Sequence, residues 1–352
     1  MHITVFGAGA VGQWIGANLL RAGHEVRFVG RAAFAARATL TAQTASGEMW
    51  HWAQVEAYTS LPDAHTDLIV LCVKAYDVAE TVAPLSRISA PVVTMQNGWG
   101  SEALLIAALG DQRVIAGTLT TAVALVDTTH VVAQREQGGV GLASVAQRNS
   151  AFAHVLDAFR AAPHLRARAF ADWRAMKWSK LLFNLAGNAT SAVFEIPYRD
   201  VLRDPLAARL EVQALREAER VMRAQGLRAV NLPGAPGALF AFAVRALPEA
   251  ALRLVLMRWL AGARGDKFPS LYYDVRERRA RSEVDVLNGA VAQVAQQLGL
   301  AAPVNAALAE AVHMGCAGAS REARRAFLHE TLRKLNHERR APHPPPQRVS
   351  SH

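Results

Sequence analysis

The sequence MHITVFGAGAVG, residues 1–12, decides the fold of the first part of the chain. Its β-branched run Ile3–Phe6 predicts a strand, three glycines follow in the order G-x-G-x-x-G, and Gln13–Arg21 has helical spacing. Small residues between a strand and a helix let the backbone approach a pyrophosphate, whose charge then lies on the amides of the helix N-terminus. The alternative is a purely structural turn. The residues expected to bind a dinucleotide are Gly7, Ala8, Gly9, Ala10, Val11 and Gly12.

Short β-branched runs alternate with helical patterns as far as about Ala143. The predicted strands are Ile3–Phe6, Glu25–Val29, Leu68–Val73, Val92–Met95 and Val114–Gly117. This alternation predicts a parallel sheet flanked by helices. Farther on, Val131–Ala133 and Gly139–Leu142 predict antiparallel strands that complete the same sheet.

Beyond about Phe170 the sequence shows only helical spacing of apolar residues. The predicted helices are Asp172–Val193, Pro205–Gln225, Leu239–Leu260, Ser282–Leu298 and Val304–His313. We therefore expect an α/β domain with a Rossmann-like fold over residues 1–168, followed by an all-helical domain over 169–336. The Pro- and His-rich end, residues 337–352, has almost no apolar residues and predicts a disordered tail.

Composition excludes several classes of protein. The 352 residues are 51% hydrophobic, which suffices for two domain cores. Cys72 and Cys316 give neither a disulfide framework nor a metal-ligand cluster, so we expect no metal and a reducing compartment, the cytoplasm. The longest apolar stretch, Gly237–Gly262, carries four charged residues and Pro248, which argues against a membrane span.

The chain has a formal net charge of +10, a balance that suits nucleic acid, an anionic surface or anionic small ligands. Much of the excess lies near the C-terminus, where a solvated helix face also explains it. Zinc-finger, RNP-like and basic heptad patterns do not occur in the sequence. Nucleic acid is therefore not the expected partner.

An arginine follows the second predicted strand, at Gly30-Arg31. NAD-binding proteins commonly carry an acidic residue at this place to bind the ribose hydroxyls, whereas an arginine suits a 2′-phosphate. The alternative is an exposed arginine at a strand end. The sequence thus favours NADPH over NADH.

Two more polar residues follow predicted strands. Lys74 ends the third strand, and Asn97 lies in the loop Gln96-Asn97-Gly98-Trp99-Gly100 after the fourth. Ligands of open α/β sheets bind at this carboxyl edge. Each residue alone also fits a solvated strand end or an ordinary turn.

The predicted helix Asp172–Val193 places Lys180, Asn184 and Asn188 at intervals of four, on one stripe of an otherwise apolar helix. A cation and two amides in a cleft suit a carboxylate and a ketone oxygen, and a solvated stripe is the alternative. Farther along the chain, Ser270 taken alone is typical of a helix N-cap, and Glu283 taken alone is typical of a surface charge.

Taken together, these motifs resemble the ketopantoate reductase (2-dehydropantoate 2-reductase) family. They agree with it in order and approximate spacing. The motifs are GAGAVG from Gly7, Arg31, VKAYD from Val73, QNGWG from Gln96, SKLLFNLAGNATSA from Ser179, FPSLYYDV from Phe268 and SEVDVLNG from Ser282.

The resemblance implies a Rossmann-like domain joined to a helical domain, with the active site in the cleft between them. It implies NADPH-dependent reduction of 2-dehydropantoate to pantoate, a step towards pantothenate and coenzyme A. Lys180 would be the general acid and Glu283 an active-site acid that also contacts the cofactor, as Lys74 and Asn97 would. The substrate contacts implied are Asn97, Asn184, Asn188 and Ser270.

Two segments depart from the family pattern, the long stretch Leu227–Lys267 and the basic Pro-rich end. They leave open the reduction of another small 2-oxo acid. A nucleotide-sensing or polyanion-binding protein is an alternative of a different class. The apolar Leu239–Leu260 segment is expected to pack in the core or between subunits, and we expect a homodimer.

Overall fold

An eight-stranded sheet is the framework of the first half of the chain. The computed structural model describes residues 1–264 and 268–340. Within them the strands are β1 (His2–Phe6), β2 (Glu25–Val29), β3 (Leu40–Gln43), β4 (Met49–Trp52), β5 (Glu56–Tyr58), β6 (Leu68–Leu71), β7 (Val92–Thr94), β8 (Val114–Leu119), β9 (Val123–Asp127), β10 (His130–Ala133), β11 (Val140–Ser144) and β12 (Arg168–Ala169).

The strand order of this sheet is β12-β11-β8-β7-β6-β1-β2-β5. The six strands from β8 to β5 are parallel, as predicted, and β11 is antiparallel to β8. The direction of winding reverses between β1 and β6, as in doubly wound dinucleotide-binding folds. Ligand sites of such sheets lie outside the carboxyl ends of the strands at this reversal.

The helices cover the sheet and form the second half of the chain. They are α1 (Ala10–Arg21), α2 (Ala32–Arg37), α3 (Val78–Leu85), α4 (Ser101–Leu109), α5 (Phe152–Ala161), α6 (Trp173–Leu185), α7 (Asn188–Phe194), α8 (Tyr198–Val201), α9 (Pro205–Ala224), α10 (Gly237–Ala246), α11 (Glu249–Arg264), α12 (Ser270–Arg276), α13 (Asn288–Gln297), α14 (Pro303–Cys316) and α15 (Arg321–Arg340). Short 3-10 helices occupy Ala75–Asp77, Asp111–Arg113 and Glu283–Val286. None of the helices within the described ranges has the length and apolar character that a bilayer crossing requires.

Val131–Ala133 form a strand, as predicted, but the prediction that this strand completes the main sheet was wrong. These residues belong to β10, which pairs with β9 and β3 in a separate four-stranded sheet of order β4-β3-β10-β9. This second sheet includes two strands that were not predicted. β3 is a parallel partner of β10, and β4 pairs with β3 in the antiparallel sense. The following segment, Gly139–Leu142, does join the main sheet, through β11.

Two buried carboxylates of α9 organise the helical half. Glu211 accepts hydrogen bonds at 2.7 Å from the amide of Gly187 and from the hydroxyl of Thr190, at the start of α7. Glu217 accepts hydrogen bonds from the backbone amides of Val304 and Asn305, at the start of α14, with N···O distances of 3.0 and 2.9 Å. A negative charge at a helix N-terminus satisfies free amides and the helix dipole. α9 therefore sets the positions of two other helices.

Three predicted helices are interrupted. Asp172–Val193 breaks at Ala186-Gly187, where Gly187 has φ +73°. Leu239–Leu260 breaks before Pro248, which has no amide hydrogen to continue α10. Ser282–Leu298 begins as the 3-10 helix Glu283–Val286 and resumes as α13. Pro205–Gln225 and Val304–His313 agree with α9 and α14 to within a few residues.

The last helix, α15, was not predicted, because its apolar residues are few among many charges. Leu328 and Leu332 are nevertheless buried on one face against the helical core. The helix runs to Arg340, so residues 337–340 are helical rather than part of the expected disordered tail. Residues 341–352 lie outside the described residues.

Candidate active site

The glycine loop brings α1 close to the end of β1. Gly7 has φ +113°, and a Cβ atom there would lie 2.6 Å from the backbone of Cys72 and Val73, at the end of β6. A Cβ atom on Gly12 would lie 2.0 Å from the carbonyl oxygen of Gly7. Neither position can hold a side chain, because the neighbours are backbone atoms that cannot move aside. The two glycines thus fix the turn from strand to helix.

Gly9, between them, has open space around it, since a Cβ atom there would meet nothing within 4 Å. It is the N-cap of α1, and no side chain caps its free amides. Ala8 and Ala10 flank it, and Val11 and Gly12 complete the first turn of α1. An uncapped helix N-terminus beside a side-chain-free surface has the form of a site for a pyrophosphate.

Arg31 lies two residues beyond the end of β2 and is the N-cap of α2. Its side chain is exposed and makes no ion pair with any residue of the described part of the chain. Gly30, next to it, packs against the glycine loop, because a Cβ atom there would lie 2.7 Å from Cβ of Ala8. The backbone that carries Arg31 is therefore held beside the glycine loop, and the exposed guanidinium is available for an anion.

Gln96 joins the ends of β6 and β7. Its buried amide donates to the carbonyl oxygens of Leu71 and Val73 at 2.9 and 3.1 Å. These contacts hold the loop that carries Lys74 beside the loop that carries Asn97. The sequence analysis did not assign Gln96 any role, because a glutamine between a strand and a turn gives no signal of its partners.

The same loop contacts the 3-10 helix Glu283–Val286. The amide of Trp99 donates to the carbonyl of Val286 at 2.9 Å. At Gly98, φ is +86° and a Cβ atom would lie 2.4 Å from that carbonyl oxygen. Lys74 forms an ion pair with Glu283, whose side chain is only 6% exposed. The structure thus brings Lys74 and Glu283 together across the two halves of the chain.

Helix α6 lies over the carboxyl edge of the sheet. Its Asn184 donates to the side-chain oxygen of Asn97 at 3.2 Å, so the two predicted amides meet. Lys180 lies one turn earlier on α6 and is half-buried. Lys180, Asn184 and Asn97 therefore belong to one wall of the cleft between the sheet edge and the helical half.

Asn188 is not part of the predicted stripe, because α6 ends at Leu185 and Asn188 is the first residue of α7. Its side-chain oxygen accepts the amide of Leu271 at 3.4 Å. Ser270 is exposed and begins α12, but Pro269 is the N-cap, so the N-cap prediction for Ser270 was wrong. The side chain of Asn188 accepts the Leu271 amide, which an N-cap side chain would otherwise accept. Asn188 and Ser270 therefore still lie side by side.

A buried ion pair supports this wall and was also missed. Lys177 on α6 is 2% exposed and Glu102 on α4 is 1% exposed, with 2.8 Å between their charged atoms. Lys177 also donates to the carbonyl oxygens of Gln96 at 2.6 Å and Gly117 at 3.3 Å. A lysine in an amphipathic helix normally indicates an exposed side chain, so only the packing of α6 on β8 and on the loop after β7 shows its partners.

Tryptophan rings cover the far side of the loop. Trp99 stacks on Trp173 with ring centroids 5.3 Å apart and an interplanar angle of 11°, and it lies 5.5 Å from Trp178. Both partners belong to α6. Aromatic pairs of this kind add stability beyond the area that they bury. They hold the loop of Asn97 against the helix of Lys180.

The arrangement has two connected parts. One is a glycine loop at a helix N-terminus with an exposed arginine beside it, which can hold a phosphate-bearing dinucleotide. The other is the wall of Asn97, Asn184 and the half-buried Lys180, which can hold a small polar substrate with an oxygen to be protonated. Both lie at the carboxyl edge of the parallel sheet.

Two family models match most of the chain. The model described as "Ketopantoate reductase PanE/ApbA" matches residues 3–147, and "Ketopantoate reductase PanE/ApbA C terminal" matches residues 172–315. The 2-dehydropantoate 2-reductase of Archaeoglobus fulgidus is 27% identical over 87% of this chain and 95% of that protein. The 2-dehydropantoate 2-reductase of Halobacterium salinarum is 30% identical over 71% of this chain and 76% of that protein.

Solved structures share the fold. A ketopantoate reductase of Ralstonia eutropha JMP134 superposes with a TM-score of 0.70 at 24% identity, covering 94% of this chain and all of that one. The 2-dehydropantoate 2-reductase of Geobacter metallireducens superposes with a TM-score of 0.75 at 21% identity, covering 89% of this chain and 99% of that one. D-Mandelate dehydrogenase in complex with NADH superposes with a TM-score of 0.72 at 18% identity, covering 90% of this chain and 99% of that one.

Proposed function

Because this chain belongs to the ketopantoate reductase family, as its matches over residues 3–147 and 172–315 show, we propose that it reduces 2-dehydropantoate to pantoate with NADPH. This step serves the synthesis of pantothenate and coenzyme A. The observation that carries the proposal is the contact between Asn97 and Asn184. This contact holds the helix of Lys180 at the carboxyl edge of the sheet, the same edge that carries the glycine loop.

The residues present fit a dinucleotide. The open surface at Gly9 and the uncapped N-terminus of α1 would hold the pyrophosphate, and Arg31 would bind the 2′-phosphate. When bound, the reduced nicotinamide supplies a hydride to the 2-oxo carbon. The fold alone does not decide between the two dinucleotides, since D-mandelate dehydrogenase was solved with NADH. We assign the choice of NADPH to Arg31.

Lys180 is the proton donor of the proposed reaction. Reduction leaves negative charge on the former ketone oxygen, and the Lys180 ammonium neutralises it by donating a proton. Asn97 and Asn184 hold one another and orient the substrate oxygens by hydrogen bonds. Ser270, beside Asn188 at the start of α12, is the proposed contact for the rest of the substrate.

Glu283 acts through Lys74 in this proposal. Their ion pair joins the loop after β6 to the 3-10 helix Glu283–Val286, with the carboxylate buried and the lysine partly exposed. Paired in this way, the two charges present a polar but nearly neutral surface to the cofactor. Their proposed role is to position the nicotinamide end of the cofactor rather than to exchange protons with the substrate.

A panel of 2-oxo acids tests the proposed substrate. We expect the largest kcat/KM for 2-dehydropantoate among branched, linear and aromatic 2-oxo acids, measured as oxidation of NADPH. A larger kcat/KM for another acid would support the same reduction with a different physiological substrate. The long segment Leu227–Lys267 leaves this alternative open. No turnover of any 2-oxo acid by the folded protein would contradict the reductase proposal.

Replacing Arg31 by alanine should erode the preference for NADPH. A charge-assisted hydrogen bond to the 2′-phosphate contributes roughly 1.5–3 kcal/mol, so the ratio of kcat/KM for NADPH over NADH should fall about 10- to 100-fold. Arg37, an exposed arginine at the end of α2, provides the matched control Arg37→Ala. An unchanged ratio in Arg31→Ala would show that another residue selects the cofactor.

The expected homodimer stays a prediction. Leu239 and Phe242 on α10 are more than half exposed, which is unusual for large apolar side chains on one helix face. We propose that this face of α10 contributes to the subunit interface. Light scattering coupled to size exclusion should give twice the chain mass, and Phe242→Glu should give a monomer. A monomeric wild type at micromolar concentration would contradict the proposal.

A further inference from the structure

A cavity of about 270 Å³ lies in the helical half, away from the residues of the proposed active site. The C-terminal end of α12 and the connection between α14 and α15 surround it. Its wall includes three arginines, Arg276, Arg278 and Arg324, but one carboxylate, Glu195. The cavity therefore carries an excess of positive charge.

Arg324 is the most unusual member of this wall, because its side chain is only 1% exposed. Its Nε atom donates to the carbonyl of Ser320 at 3.3 Å, and its Nη2 atom is paired with Glu195. Its Nη1 atom has no hydrogen-bond partner within the described ranges. A buried, charged donor without a partner is costly, so such an atom indicates a ligand that would complete it.

Gly315 explains where this free atom lies. Both Gly315 and Arg324 line the cavity, and a Cβ atom on Gly315 would lie 2.5 Å from Nη1. Even an alanine at this position would therefore collide with Nη1. The absence of a side chain at Gly315 makes room for the guanidinium in the wall of the cavity, where it is buried.

Arg276 and Arg278 add charge from the outer side. Both are exposed, and neither forms an ion pair in the part of the chain that the structure describes. Guanidinium groups bind phosphate oxygens through paired hydrogen bonds, and several of them around one cavity favour a doubly charged anion. The volume exceeds that of one phosphate group, and Tyr272 and Val275 offer an apolar wall for a compact organic part.

We propose that this cavity is a second ligand site, which binds a small phosphomonoester. The phosphate contacts the side chains of Arg276 and Arg278 and lies beside the buried guanidinium of Arg324. The site does not depend on the proposed reaction, since its lining includes none of the proposed catalytic or cofactor-binding residues. It is, however, built on α12, the helix that begins with Ser270.

Isothermal titration with glycerol 3-phosphate, in the presence of saturating NADP⁺ to occupy the dinucleotide loop, tests the proposal. We expect binding of one equivalent to the wild-type protein and no binding of glycerol. The double variant Arg276→Gln, Arg278→Gln should bind at least about tenfold more weakly, because it loses two charge-assisted contacts. Circular dichroism should show that the variant is folded, since both side chains are exposed.

Two further variants make the result decisive. Arg223→Gln, Arg228→Gln removes the same charge from exposed positions that do not line the cavity, and it should bind like the wild type. Arg31→Ala should also retain binding. The proposal is overturned if the wild type does not bind at millimolar concentration, if Arg276→Gln, Arg278→Gln binds normally, or if Arg31→Ala alone abolishes binding.

Discussion

Replacing Lys180 by alanine is expected to lower kcat for the 2-oxo acid by about 10²–10⁴-fold, the usual contribution of a positioned general acid. The binding of NADPH should change little, because Lys180 lies on α6 and not in the glycine loop that is proposed to hold the dinucleotide. The measurements are steady-state oxidation of NADPH and cofactor binding by fluorescence. A loss in kcat with an unchanged cofactor affinity separates a chemical role from a role in binding.

Two variants distinguish proton donation from charge alone. Lys180→Arg keeps the positive charge, but a guanidinium is a poor proton donor because its pKa is far above that of an ammonium, so the kcat of this variant should also remain low. Arg174→Ala removes an exposed cation from the first turn of the same helix and should be close to wild type. Turnover of Lys180→Ala within about threefold of wild type would rule out the lysine as the proton donor.

Replacing Lys177 by methionine should destabilise the protein by about 3–5 kcal/mol, because it leaves the Glu102 carboxylate buried without a counter-charge. The carbonyl oxygens of Gln96 and Gly117 lose a donor in the same step. Urea denaturation followed by circular dichroism gives the free energy of unfolding. The matched control is Lys334→Met, at an exposed position of α15, which should change stability by less than about 0.5 kcal/mol.

The double variant Lys177→Met, Glu102→Gln should be more stable than Lys177→Met alone. It removes the uncompensated charge and retains only the loss of the hydrogen bonds to the two carbonyls. The difference between the double variant and the sum of the single ones measures the coupling of the pair. A Lys177→Met variant within about 1 kcal/mol of wild type would mean that Glu102 takes up a proton at little cost.

Much of the first half of the fold follows from local sequence. The β-branched strand, the glycines at 7, 9 and 12 and the alternation up to Val114 predict the parallel sheet, because each feature acts within a few residues. β3 and β4 were not predicted, since Leu40–Gln43 and Met49–Trp52 are short. They pair with each other as neighbours in sequence, and β3 also pairs with the distant β10. Their existence also moved β10 into the second sheet.

The helix breaks show a similar limit. Apolar spacing continues through Ala186-Gly187, so the sequence predicts one helix and one stripe that includes Asn188. The break depends on Glu211, 24 residues later, whose carboxylate accepts the amide of Gly187. No pattern within the segment reveals that partner. A glycine in a helical pattern indicates a possible break, but not that a carboxylate from another helix stabilises it.

For the candidate site, the sequence identified residues whose type is unusual for their position, such as Lys180, Asn97 and Arg31. The structure brings Asn97 to Asn184 and Lys74 to Glu283, pairs that are 87 and 209 residues apart in sequence. It adds Gln96 and Lys177, which act through backbone carbonyl oxygens. Such supporting residues carry no chemical signature in sequence, because any long polar side chain can donate to a carbonyl.

The partners of Lys177 have a consequence for attempts to recombine this chain with its relatives. Gln96, Glu102 and Gly117 all precede the short connection between β12 and α6, the linker at residues 170–172, whereas Lys177 follows it. A chimera joined at that linker would bring a foreign helix onto the buried Glu102 unless the donor sequence also carries a lysine at this position. Productive crossover points must therefore keep residues 96–117 and α6 from the same parent.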